Sequence, residues 1–161
     1  MGVHDGHRAR MKRRFIEHGL DSFDDHQVLE LFLFYSRPRG DVNPIAHDLI
    51  ERFGSLAAVF DASPEEICKV PGVGENTAAF LKLIPQMCRR YLISRDSRDD
   101  ILDSTKKAGA YLIPRFYAER DEVVYMICMD AKCKVLNCKL LFRGGVNSAN
   151  ISIRKIVENA L

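Results

Sequence analysis

The stretch that most restricts the fold is KVPGVGENTAAFLKLI, residues 69–84. Pro71, Gly72 and Gly74 fall close together and lead directly into an apolar, helix-forming run. Glycine costs backbone entropy in any ordered structure. A pair of them around one valine therefore marks a corner that bends sharply or is approached closely by something else. Just upstream, SPEE at 63–66 reads as a capping box, with Ser63 as cap, Pro64 as first helical residue and Glu66 reaching back. The spacing predicts a short helix ending near Val70, a Pro-Gly-Val-Gly turn, and a long helix from Asn76 to Ile93. Together these form a helix-hairpin-helix.

Such a corner has definite chemistry. The amides of the turn and of the following helix's first turn lack intrahelical acceptors, and the helix dipole places its positive end behind them. A nucleic-acid phosphate is the natural acceptor. In this reading Gly72 and Gly74 let a ligand touch the main chain, and Val73 faces inward to pin the turn. Thr77 caps or adds a hydroxyl contact. Ala78 and Ala79 allow the helices to pack closely. Glu75 opposes an anion, and Lys69 and Lys82 are placed to compensate. The alternative is an inter-helix turn that binds nothing.

The formal net charge is only +2, so its distribution matters more than its size. Arg8, Arg10, Lys12, Arg13 and Arg14 crowd one segment without interleaved aromatics, which suits attraction to phosphates and not stacking on bases. Arg8, Arg10 and Arg13 join the candidate DNA-binding set on this ground. A solvated helix face is the alternative. No run is long and apolar enough for a membrane span, and none resembles a secretory signal. The cysteines are Cys68, Cys88, Cys128, Cys133 and Cys138, an odd set without a Cys-x-x-Cys pair. This argues against a disulfide framework or a zinc ribbon and for a reducing cytoplasm.

Periodicity divides the chain. Helices are expected over 6–18 (Met11 and Phe15 inward), over 25–35 (Leu29, Phe32 and Leu33 inward), and from Asn43 as cap through Phe53. A short turn capped by Ser55 follows. Pro85 lies inside the long helix and predicts a bend. SRDSRDD, residues 94–100, reads as a linker. Beyond it, Asp103 or Ser104 caps a helix with Ala108, Leu112 and Phe116 aligned. EVVYMICM and KVLNCKLLF then read as an antiparallel strand pair. IRKIVENAL starts a further helix with Ile153, Ile156, Val157 and Leu161 on its inner side. The domains expected are 1–95, all helical, and 102–161, α+β, joined by 96–101.

HDGHRARMKRRF, RGDVNPIAHDLIERFGSL, DASPEEICKVPGVGENTA and VYMICMDAKCKVL together resemble the RadC family, bacterial proteins named for DNA repair. The resemblance runs in order over nearly the whole chain. It implies an α+β protein: an all-α helix-hairpin-helix domain followed by a partial α/β MPN (JAB/JAMM-like) domain. In such domains a His-x-His-Pro motif and a downstream aspartate hold zinc, and a glutamate on an early strand serves as general base. That leaves an open metal position for an activated water. Glu122 matches the glutamate, eight residues before Asp130. Before the last helix the family often has His-Pro-Arg-Glu, whereas this chain has Ser152, Ile153, Arg154 and Lys155. The chain reaches Leu161 before any His-x-His-Pro, and its histidines, His4, His7, His18, His26 and His47, all lie in the helical part.

The expectation is therefore a RadC-like, DNA-associated protein with weak, sequence-independent binding and an incomplete zinc metallohydrolase module. No metal ligands are expected in this chain, and zinc is expected in a full-length member. The alternatives are a zinc-dependent JAMM-type metalloprotease when full length, or a protein–protein adaptor docking through Phe32, Phe34 and Tyr35. Uncovered strands would favour self-association.

Overall fold

A computed structural model describes residues 3–95, 101–144 and 153–160. It separates into two compact units, Met1–Ile84 and Pro85–Leu161. The division falls inside a helix, at the proline where a backbone donor is missing.

The first unit is helical. It contains α1 (Val3–His18), α2 (Asp25–Ser36), α3 (Asn43–Phe53), α4 (Leu56–Asp61), α5 (Pro64–Ile67) and the start of α6 (Glu75–Arg95). Local chemistry sets most boundaries. Ser55 accepts the Ala58 amide at 3.1 Å, and Ser63 and Glu66 form the reciprocal capping box. Gly19 and Gly54 take left-handed conformations at the ends of α1 and α3, where a side chain would be strained. The α3 start differs from expectation. Val42 is the cap, and the Asn43 side chain turns inward to donate to Glu30 Oε2 at 3.2 Å.

Leu29, Leu33, Leu49, Ile67 and Leu81 are fully buried and join Val42, Val59, Val70 and Val73 in one core. Met11 reaches this core as expected, whereas Phe15 is exposed. Phe34 is buried and Phe32 packs edge-on against Phe60, so of the three aromatics weighed as a docking face only Tyr35 is exposed. Glu30 is 2% exposed, and its carboxylate ties three helices together. Oε1 meets His7 Nε2 of α1 at 2.9 Å and Oε2 accepts from Asn43 of α3.

The second unit holds the rest of α6, then α7 (Thr105–Phe116), β1 (Glu122–Met129), β2 (Val135–Gly144) and α8 (Ile153–Ala160). Ser104 caps α7 by accepting the Lys107 amide at 3.3 Å. Tyr111 and Arg115 form its buried face, with the guanidinium 3.6 Å from the ring centroid. Phe116, placed inward by spacing, is exposed.

The strands pair antiparallel from Glu122↔Gly144 to Met129↔Val135. Two register shifts leave Leu141 and Leu136 as extra residues on β2, and the first of these is buried. Asp130 makes the connecting turn, its Oδ1 accepting the Lys132 and Lys134 amides at 2.8 and 2.9 Å. Glu119, 5% exposed, takes both Arg89 and Arg143. Ile153, Ile156 and Val157 of α8 are exposed rather than inward, and Leu161, residues 96–100 and residues 145–152 lie outside the described residues.

Candidate nucleic-acid interface

The Pro71–Gly74 corner follows from its sequence. Gly72 has φ +80, a conformation costly for any residue with a Cβ. A Cβ there would also lie 3.0 Å from Ile45 Cδ1 and 3.4 Å from Arg37 Nη1. The Val73 side chain is 7% exposed and anchors the turn in the core. Its amide donates to the Val70 carbonyl at 3.0 Å.

Gly74 is different. Its φ is not in the left-handed region, and a Cβ there would meet nothing within 4 Å. Its carbonyl accepts the Thr77 and Ala78 amides, so it stands at the N-cap of α6. Neither backbone strain nor packing within the protein requires glycine at this position. Open space lies in front of it. Among the described residues, the amides of Gly72, Gly74, Glu75 and Asn76 have no hydrogen-bond partner, and all four residues are exposed.

The remaining candidates divide by position. Lys69 is exposed beside the corner. Thr77 is 4% exposed and serves packing more than presentation. Ala78 is buried against the core as expected, whereas Ala79 faces a groove. Lys82 does not face an incoming phosphate. Its ammonium donates to the Phe60 and Ala62 carbonyls, the latter at 2.9 Å, and so closes the C-terminal end of α4. Long reach and a half-buried stem make this the better use of a lysine.

The basic run on α1 is likewise two-sided. Arg8 donates to the Arg37 and Pro38 carbonyls at 2.9 Å and to the Gly40 carbonyl at 2.6 Å, and lies over the Phe34 ring. Lys12 covers Tyr35, and Arg14 covers Phe23 while donating to Ser22. Arg10 and Arg13 project outward, without a partner among the described residues. Three cations of this run are thus structural, and two remain for a ligand.

Electrostatics orients the corner. The groove between α5 and α6, about 500 Å³, is flanked by Glu65 and Glu75. Its own backbone amide and the Ser63 hydroxyl hold the Glu65 carboxyl below the usual carboxylate range. That side of the hairpin is anionic. Arg37 adds a cation at the corner, its Nη1 donating to the Gly72 carbonyl. The sequence reading missed Arg37. It lies 35 residues from Gly72, and no local spacing links the two.

Glu122 opens β1 and is exposed. Among the described residues no three His, Cys, Asp or Glu side chains gather as metal ligands. Residues 85–161 contain no histidine. The donor set of a His-based zinc site is not present there. His26 and His47, in the helical unit, stack on each other at 4.1 Å.

Comparison with known proteins identifies both parts by family. A RadC-like JAB domain model matches residues 102–161, and a helix-hairpin-helix motif model matches residues 55–79. A UPF0758 protein of Acinetobacter baylyi is 33% identical over 155 residues, which are 96% of this chain and 57% of that relative. Two UPF0758 proteins of Vibrio cholerae are 30% identical over 150 residues, 93% of this chain and 67% of each relative. The chain therefore spans from just over half to two thirds of the length of these relatives. No solved structure matches it.

Proposed function

The chain belongs to the RadC family and carries a helix-hairpin-helix motif ahead of a RadC-like JAB domain, and from this we propose that its helical unit holds DNA by the phosphate backbone, without reading sequence, in the service of repair. The observation that carries the reading is the open Gly74 beside four unpartnered amides. A phosphate oxygen placed there completes hydrogen bonds that no protein group makes, and backbone amides accept it whatever the base. Lys69, Arg10 and Arg13 add charge from exposed positions, and Lys82 and Arg8 act by holding the framework.

The test is fluorescence anisotropy of labelled linear and branched duplexes over a salt series. Binding should weaken log-linearly with salt, by about 0.9 in slope per phosphate neutralised. An absence of binding at low ionic strength overturns the reading. A metallohydrolase role for longer relatives attaches to the domain resemblance and to Glu122, and among the described residues no cluster of metal donors supports it.

A further inference from the structure

The loop between α2 and α3 has an arrangement that the hairpin motif does not account for. The carbonyls of Arg37, Pro38 and Gly40 turn inward onto one guanidinium, that of Arg8. Gathering three carbonyl dipoles on one side fixes the loop, and Pro38 stiffens it further. Its side chains are turned the other way, so Pro38 and Arg39 are exposed.

Arg37 then reaches the hairpin and donates through Nη1 to the Gly72 carbonyl. A guanidinium has five N–H donors in a planar fork, and among the described residues this carbonyl is its sole side-chain partner. Nη1 also lies 3.4 Å from where a Cβ on Gly72 would stand, so the guanidinium sits at the bend whose Gly72 and Gly74 amides have no partner among the described residues. Arg39, two residues on, has no partner among the described residues.

The hairpin needs these cations. Glu65, Glu66 and Glu75 surround it, Lys69 is its one exposed ammonium, and Lys82 is committed to two carbonyls. Without the loop, the carboxylates would dominate the field that an incoming phosphodiester meets.

We propose that the Arg37–Arg39 loop, pinned by Arg8, is a second DNA-backbone element: Arg37 takes one phosphate jointly with the hairpin amides, and Arg39 takes a neighbouring one. This rests on the hairpin binding DNA as argued above. Arg8 is a positioning residue, since three of its five donors are held by the loop carbonyls.

The experiment compares the wild-type chain with Arg37→Gln, Arg39→Gln and Arg10→Gln by anisotropy on one labelled duplex over a salt series. Thermal melting checks the fold. Each loop variant should lose about 0.9 in the slope of log K against log salt, as expected for one phosphate contact. Arg37→Lys should keep the slope while losing affinity, because a lysine retains the charge without the fork. Arg39→Gln removes no hydrogen bond or ion pair among the described residues and so separates the contact from a folding defect. A binding wild type whose slope is unchanged in both loop variants overturns this inference and leaves the hairpin reading standing. A wild type that does not bind removes both.

Discussion

Gly72 and Gly74 stand two residues apart in one turn, yet substitutions there should move stability in opposite directions. Gly72→Ala forces a left-handed conformation on a residue with a Cβ, at about 1–2 kcal/mol, and brings that Cβ to 3.0 Å from Ile45 Cδ1. The reduced entropy of the unfolded chain returns about 0.4–1 kcal/mol. The net loss of about 1 kcal/mol should lower the melting temperature of the helical unit by about 4–8 °C. Gly74→Ser meets no such cost, because its backbone is not left-handed and the added atoms enter open space. At the N-cap of α6, serine is better than glycine by a few tenths of a kcal/mol, which raises melting by about 1–3 °C. Its hydroxyl accepts the Asn76 amide and its bulk fills the space before the others, so DNA should suffer. Losing one charge-assisted hydrogen bond, about 1.5–3 kcal/mol, weakens binding by about 10- to 150-fold. Differential scanning calorimetry and anisotropy on the same preparations supply both readings. A Gly74→Ser protein that melts higher and binds DNA as well as wild type would refute the claim that the missing side chain is there for a ligand.

Three other outcomes follow from the framework. Lys82→Met should cost about 2 kcal/mol by stranding the Phe60 and Ala62 carbonyls. It should leave the salt slope of DNA binding unchanged, and a slope that falls would return Lys82 to the interface. Glu30→Ala, which leaves His7 and Asn43 without their shared acceptor, should cost about 3 kcal/mol. Urea denaturation should show this as a lower midpoint at unchanged m. Equilibrium dialysis against zinc should find no tight stoichiometric site in this chain, since residues 85–161 offer no histidine. A tight site with imidazole ligation would refute the donor argument.

What the sequence made legible was local. Ser55, Ser63 and Ser104 cap the helices they precede, because a cap bonds amides only two or three residues away. The antiparallel pair was legible from two apolar runs with a short polar connection, though not its two extra residues on β2, which depend on cross-strand packing. Illegible were the directions of long side chains. Arg8 and Arg10 look alike in a charge run, yet one holds loop carbonyls and the other faces solvent. Helical spacing pointed to Ala108, Leu112 and Phe116 on α7, and the buried face is Tyr111 with Arg115 stacked on it. An arginine at a core position is invisible to a hydrophobic pattern. Glu30 was missed for the same reason.

The two halves of the interface explain why binding here should be indifferent to sequence. In the proposed site, hairpin amides and the Arg37 guanidinium would both meet the phosphodiester, which is the same for every base. No described element near the corner presents an exposed Asn, Gln or aromatic in a regular array of the kind that reads or stacks on bases. On this proposal Gly74 would admit the DNA backbone close enough for the amides, and Arg37 would offset the negative charge of Glu75. Each is of limited use without the other: an open corner flanked by carboxylates repels the anion, and an arginine without a corner holds it loosely. Combining Gly74→Ser with Arg37→Gln should therefore cost less than the sum of the two single losses, because both act on one phosphate. Strict additivity in that cycle would place the two residues on separate phosphates and break the joint site apart.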